Sequence, residues 1–445
     1  MSALASLVRQ IVAETPVWDM HTHLYSPRFG TPFRGSDPAP ADPQGFCLWG
    51  FDELMTYHYL VAEFFRVAPD GMTPDGFRKL EKSTRADLIW EHLFVRRTPL
   101  SEACRGVVTV LDRLGYDLDA RDPATLRAAF ASRTPEDQID EVLRLAGVKR
   151  VTMTNDVFDP LEHAAWRDDP TLGGDDRFAP VLRCDRVLND LAGASSQLAS
   201  WGYDVPTRPA LTAAGLEGLR RFFDEWIDRM RPIYLAASLP PEFYYGGNDD
   251  GSPAAAVLRH VILPAAEAHG LPMALMIGVR RGVNPALADA GDASSNSDLD
   301  SLTRLLVDFP GVRFLVTLLA REDQHQLAVL ARKFGNLTPF GCWWFLNIPS
   351  IIDEMTSLRL ELLGTSFIPQ HSDARVLEHL IYKWGHSREV IADVLVRQYE
   401  KLANTRWPVR EDAIRADVTA LLDGNFAAIV DAAGSEQPAV PAVAE

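Results

Sequence analysis

Cysteine is scarce in this chain, with four residues at positions 47, 104, 184 and 342 among 445. None is spaced Cys-x-x-Cys, which excludes a disulfide framework and points to a reducing, cytoplasmic setting. No apolar run approaches the ~20 residues of a spanning helix. Positive charge is also short: 44 Lys and Arg face 61 Asp and Glu, a formal net charge of -17. Phosphate-backbone binding needs clustered basic residues, so nucleic acid is excluded as a partner and so is a membrane. An anionic small molecule must therefore be captured locally, by a metal or an arginine. A flexible linker between two halves is missing as well, and residues 1–435 read as one domain. The Pro/Ala/Val-rich tail, 436–445, reads as disordered. Residues 1–14 set Arg9 and Glu14 among apolar residues at helical spacing, which suits a docking helix and not a signal peptide.

What is present is an alternation. From Phe51 to about Gly147 the period is helical, with segments near 51–67, 74–94, 99–114, 123–131 and 135–146. After Gly147 short apolar runs alternate with amphipathic helices, at 148–154, 178–183, 233–238, 272–279, 312–318, 336–345 and 362–369. With the strand before His21 these make eight. Alternating strand and helix implies parallel strands, and eight repeats predict a TIM-like (β/α)8 barrel with a helical insertion at about 51–147 after the first strand. The Pro-, Gly- and Asp-rich stretch 28–48 predicts a loop rimming the mouth.

Such barrels carry their chemistry where strands end. The first ends in Trp18-Asp19-Met20-His21-Thr22-His23, whose i, i+2 spacing can aim both imidazoles at one point. The last run leads into Gln370-His371-Ser372-Asp373-Ala374-Arg375. If first and last strands are neighbours, His21, His23 and Asp373 meet as a mononuclear site suited to Zn²⁺ or a similar ion. The plainer alternative is that the histidines only cap a strand. A second ion would call for a lysine, glutamate or histidine on strands four and five, but these end in Ser238 and Met276. None of the six lysines stands at a strand exit. Around this core, His58 and Tyr59 offer either an aromatic-polar cluster or half-buried packing. Arg183 offers either an anion clamp or a pair with Asp185. Trp343 and Trp344 read as wall and core, or as a face for a sugar.

Several blocks narrow the choice: Asp19-Met20-His21-Thr22-His23-Leu24, Thr56-Tyr57-His58-Tyr59-Leu60-Val61, Ala86-Asp87-Leu88-Ile89-Trp90, Ser101-Glu102-Ala103-Cys104-Arg105-Gly106, Phe340-Gly341-Cys342-Trp343-Trp344-Phe345, and Gly364 through Arg375. In these, over nearly the whole length, the chain resembles the uronate isomerases of the amidohydrolase superfamily, in their shorter, divergent branch. The resemblance implies interconversion of D-glucuronate with D-fructuronate, and of D-galacturonate with D-tagaturonate, through a cis-enediol on one divalent metal, with zinc expected. It implies His21, His23 and Asp373 as ligands, and Asp373, Tyr59 and Arg375 as catalytic groups. His58, Arg183, Arg375, Tyr59 and Trp343 become substrate contacts. Many relatives carry Asp and His near Leu239 and at Met276, which this chain lacks. A metal-dependent hydrolase of a sugar lactone or amide, and a silent sugar-acid-binding protein, are the competing functions, and a homo-oligomer is compatible with either.

Overall fold

The computed structural model describes residues 2–30, 47–206, 211–246 and 252–435. Most of the predicted rim loop, 31–46, and the predicted tail, 436–445, lie outside the described residues.

Seven strands form one sheet, hydrogen-bonded in chain order and parallel throughout. They are β1 (Val17–Thr22), β2 (Val148–Asn155), β3 (Phe178–Arg183), β4 (Leu235–Leu239), β5 (Met273–Ile277), β6 (Phe314–Leu318) and β7 (Leu337–Pro339). Every residue of β1, β5 and β6 is buried, as expected of strands covered on both faces. The sheet curls so that Met20, Val181, Ala236, Ala274, Leu315 and Phe340 share one interior cluster, and Phe426 from the helix Asn425–Ser435 joins it. The ring of Phe426 meets Trp18 edge-on at 4.9 Å.

Between β1 and β2 the chain is helical, and its local signals are clear. Thr134 caps the helix Pro135–Ala146, and Gly147 at φ 64° ends it, so the chain turns at once into Val148. The run predicted as one segment at 51–67 is broken. Phe51–Met55 stops at Thr56, Tyr57 is extended, and a new helix covers His58–Phe64. That break clusters Tyr57, His58 and Tyr59. The amino-terminal helix Ala3–Glu14 docks as expected, with Arg388 donating to Val12 O and Thr15 O.

The predicted eighth strand, 362–369, is not a strand. Leu362 and Leu363 end the helix Pro349–Leu363, which Gly364 closes at φ 62°. Pro369 then removes a ladder donor. From Ile368 onward the chain pairs only singly: Ile368 bridges Phe340, Asp373 N donates to His21 O at 3.1 Å, and His23 N donates to Ala374 O at 2.7 Å. β7 is likewise shorter than its predicted 336–345, because Cys342 N turns to the Gln370 side chain at 3.0 Å. No helix among the described residues is long and apolar enough to cross a membrane.

Candidate active site

His21 ends up beside His23 and Asp373, as their placement on the first and last segments predicted. One ligand atom from each lies within 4.8 Å of the others. Asp373 Oδ1 is 3.2 Å from His23 Nε2 and 3.7 Å from His21 Nε2. Both rings are held in one tautomer by the same device. Thr154 donates its hydroxyl proton to Thr22 O, leaving a lone pair for His23 Nδ1–H at 3.1 Å. Tyr234 donates to Met20 O and presents its oxygen to His21 Nδ1 at 3.5 Å. Each Nε2 is thereby left bare toward Asp373, and that of His21 is buried with no hydrogen-bond partner among the described residues.

Burial and neighbouring charges set the protonation states. Burial, then His23, pushes His21 down to about 3. Burial, then Arg375, pushes His23 down to about 4. Burial opposes the charge of Asp373, but the polar groups around it, His23 first and the Lys383 ammonium among them, hold it well below the usual carboxylate range. Two neutral imidazoles and a carboxylate at neutral pH are a donor set for a divalent cation. The strand-capping alternative leaves the bare His21 Nε2 unexplained.

Beside the cluster the aromatic group closes in. The rings of His58 and Tyr59 meet at 4.6 Å, and the Tyr59 hydroxyl is buried without a hydrogen-bond partner among the described residues. Burial, then Tyr57 and Asp373, raises the Tyr59 pKa well above that of a free phenol, so it stays a proton donor. Burial, then Arg375, pushes His58 down to about 3. The Arg375 guanidinium thus acts electrostatically on both His23 and His58, and makes no ion pair among the described residues. Arg183 holds Asp185 through two hydrogen bonds, 3.0 and 2.9 Å, so the pairing alternative is realised. Its charge still reaches His21 and His23.

Trp343 and Trp344 are both buried in the cluster inside the curled sheet. Trp344, at φ 48°, meets His58 at 5.3 Å and lies nearly parallel to Tyr59 at 6.5 Å. His58, Tyr59, Trp344 and Tyr382 line a cavity of about 270 Å³. Neither this cavity nor a larger one, about 1210 Å³ beside Arg150 and Trp226, is lined by His21, His23 or Asp373.

Sequence reasoning missed three residues here. Asp19, fully buried, accepts from His21 N, Ser372 N and Trp384 Nε1, tying β1 to the turn that carries Asp373. Its place two residues before His21 was the available signal. His371 is fully buried, its ring edge-on to His21 at 5.6 Å, and fits only because Gly341 has no side chain: a Cβ there would lie 1.7 Å from His371 Nδ1. Lys383, on the helix His379–Ala403, reaches Ser372 O at 2.6 Å, and nothing in its sequence context signalled it.

A curled sheet of parallel strands with a His, His, Asp cluster where β1 meets the last turn defines the class: an α/β enzyme with a donor set that could hold a metal ion. Among solved structures, a uronate isomerase from Bacillus halodurans C-125 aligns at TM-score 0.88 with 47% identity, covering 96% of each chain. The chain belongs to the uronate isomerase family, and it is an isomerase. A uronate isomerase from Thermotoga maritima (TM-score 0.74, 16% identity, 97% of this chain and 98% of that one) shares the fold. So does a glucuronate isomerase from Caulobacter crescentus (TM-score 0.74, 18% identity, 99% and 97%). No family profile and no curated protein matches the sequence.

Proposed function

We propose that this isomerase interconverts D-glucuronate with D-fructuronate, and D-galacturonate with D-tagaturonate, through a cis-enediol, on one divalent ion held by His21, His23 and Asp373. The observation that carries it is the set of bare, neutral imidazole nitrogens facing an ionised Asp373, walled by a phenol and by an arginine that has no ion-pair partner among the described residues. Zinc is the ion we assign, since two histidines and one carboxylate are a familiar zinc set. Bound there, it would polarise a sugar oxygen and acidify a hydroxyl within reach.

The side chains supply the rest. Isomerisation breaks the C2–H bond and forms C1–H, while a hydroxyl proton moves from O2 to O1. Asp373, ionised at neutral pH, holds the proton of the C5 hydroxyl and frees that oxygen to accept the proton from C2 and return it at C1. Tyr59, kept protonated by burial, gives its proton to O1 as charge develops there and regains one from O2, so that it ends the cycle as it began. Arg375 binds the C2 and C3 hydroxyls with guanidinium donors that no hydrogen bond among the described residues engages. Arg183, fixed by Asp185, attracts the anionic substrate, and His58 and Trp343 complete the walls. We read the seven strands plus the bridged segment after Gly364 as a TIM-like barrel of amidohydrolase type, the helices of 51–147 as an insertion in it, and 1–435 as one domain. A cytoplasmic setting and homo-oligomeric assembly complete the proposal.

Deuterium at C2 of D-glucuronate tests it. A single shielded base should deliver part of the label to C1 of the ketose, with the remainder lost to solvent. NMR that finds no ketose, or ketose that takes up no solvent hydrogen at C1 after prolonged incubation, would sink the enediol reading. Lactone or amide opening in its place would install the hydrolase.

A further inference from the structure

The buried ammonium of Lys383 has no part in the reaction scheme of His21, His23, Asp373, Tyr59 and Arg375. It stands in the second turn of the helix His379–Ala403 with 2% of its surface exposed. Burying an ammonium is unfavourable unless acceptors or a carboxylate compensate. Among the described residues it makes no ion pair, and its one hydrogen bond runs to Ser372 O. Among the described residues, two of its three donors are therefore left over. Nζ also lies 5.5 Å from the centroid of the Tyr59 ring, within range of a cation–π attraction. Burial pushes the amine down to about 8 against the pull of Asp373 and Asp19, so it remains charged at neutral pH.

The Ser372 carbonyl belongs to the peptide whose nitrogen is that of Asp373. Lys383 holds one side of that peptide, and the bond from Asp373 N to His21 O holds the other. The next residue along the helix, Trp384, donates to Asp19, which in turn accepts from Ser372 N. Adjacent helix residues therefore grip both ends of Ser372. The grip has a strain to resist, since Asp373 sits at φ 51°, a left-handed backbone that a non-glycine residue leaves readily. A neutral donor would suffice for the carbonyl alone. The charge is what the packing does not need.

We propose that Lys383 is a positioning residue for the isomerisation, clamping the Ser372–Asp373 peptide and setting a fixed positive charge against the Tyr59 ring. This rests on the isomerisation proposed for the same site.

Lys383→Met and Lys383→Gln separate the two parts, since glutamine keeps a donor for Ser372 and loses the charge. At saturating metal both should lower kcat by ~10²-fold with KM within ~3-fold, the pattern of a transition-state effect. Melting should stay at or above the wild-type temperature, because an unpaired buried charge has been removed. Adding Lys383→Gln, which removes only the charge, to Tyr59→Phe should cost little more than Tyr59→Phe alone. By chelator competition, Lys383→Met should bind metal at least ~10-fold more weakly, with Lys383→Gln closer to wild type. Full turnover in Lys383→Gln overturns the role of the charge, and unchanged metal affinity in Lys383→Met overturns the clamp. Lower melting or failure to fold in both makes the residue structural and overturns the proposal. Wild-type protein forming no ketose would refute the reaction instead, and the melting and metal measurements would still decide Lys383.

Discussion

The two sides of the metal cluster are built by different means. His21 and His23 stand at the end of β1, a strand buried along its whole length and laddered to β2, and one hydroxyl apiece orients their rings. Asp373 stands on irregular backbone at φ 51°, and the turn that carries it is held by Asp19, Gln370 and Lys383. A strand positions a ligand through its own backbone bonds. A turn without a ladder must borrow buried polar side chains from elsewhere, and each of these has to be satisfied or it costs stability. The last turn should accordingly be the more fragile side.

Gly341→Ala puts that to the hardest test. With φ 63° and a Cβ 1.7 Å from His371 Nδ1, the new methyl has no room. Loss of ~4 kcal/mol or more in denaturant unfolding, or failure to accumulate soluble protein, is expected. Near-wild-type stability would show that the turn has slack. Asp373→Asn comes next: it keeps the shape and removes the proton acceptor, so kcat should fall by ~10²–10⁴-fold, while His21 and His23 retain part of the metal by elemental analysis. On the strand side, Thr154→Val removes the acceptor that pins His23 Nδ1 together with the donor to Thr22 O. Metal affinity should drop ~10- to 100-fold, with a loss of only ~1 kcal/mol in folding stability. An unchanged affinity would mean that β1 orients the ring unaided.

The smallest effect is on stability against pH. His58, held near 3 by burial, stays neutral in the folded protein where the unfolded chain takes up a proton below ~6.5. Stability of the metal-free protein therefore falls as pH drops through that range. Glu378, pushed up to about 7 by burial, runs the other way and loses stability as pH rises from about 4.5 toward 7. His58→Gln should remove on the order of 1 kcal/mol of the difference between pH 7 and pH 5. An identical urea-midpoint difference in both proteins would place His58 in contact with water.

Much of this was legible before folding was considered. The alternation after Gly147, the i, i+2 histidines and the Asp373 turn are local patterns, and local patterns arise from backbone period and side-chain chemistry. Boundaries were less so. Leu362 and Leu363 read as strand because a buried helix end and a buried strand look alike over a few apolar residues.

By itself, then, the sequence determined the parallel α/β order and the i, i+2 pair His21 and His23, and offered Asp373 as their partner if first and last segments met. The first two depend on residue type and short spacing alone, while Tyr59 and Arg375 were named through the resemblance of their blocks. Only the tertiary structure decided that Asp19 and Lys383 serve the site, that His371 lies against Gly341, and that Arg183 is spoken for by Asp185. The first three join residues that are 10 to 353 positions apart in the chain, as Lys383 is from Asp373 and Asp19 from Ser372. Such contacts arise from burial and hydrogen-bond satisfaction in the closed fold, and no periodicity records them.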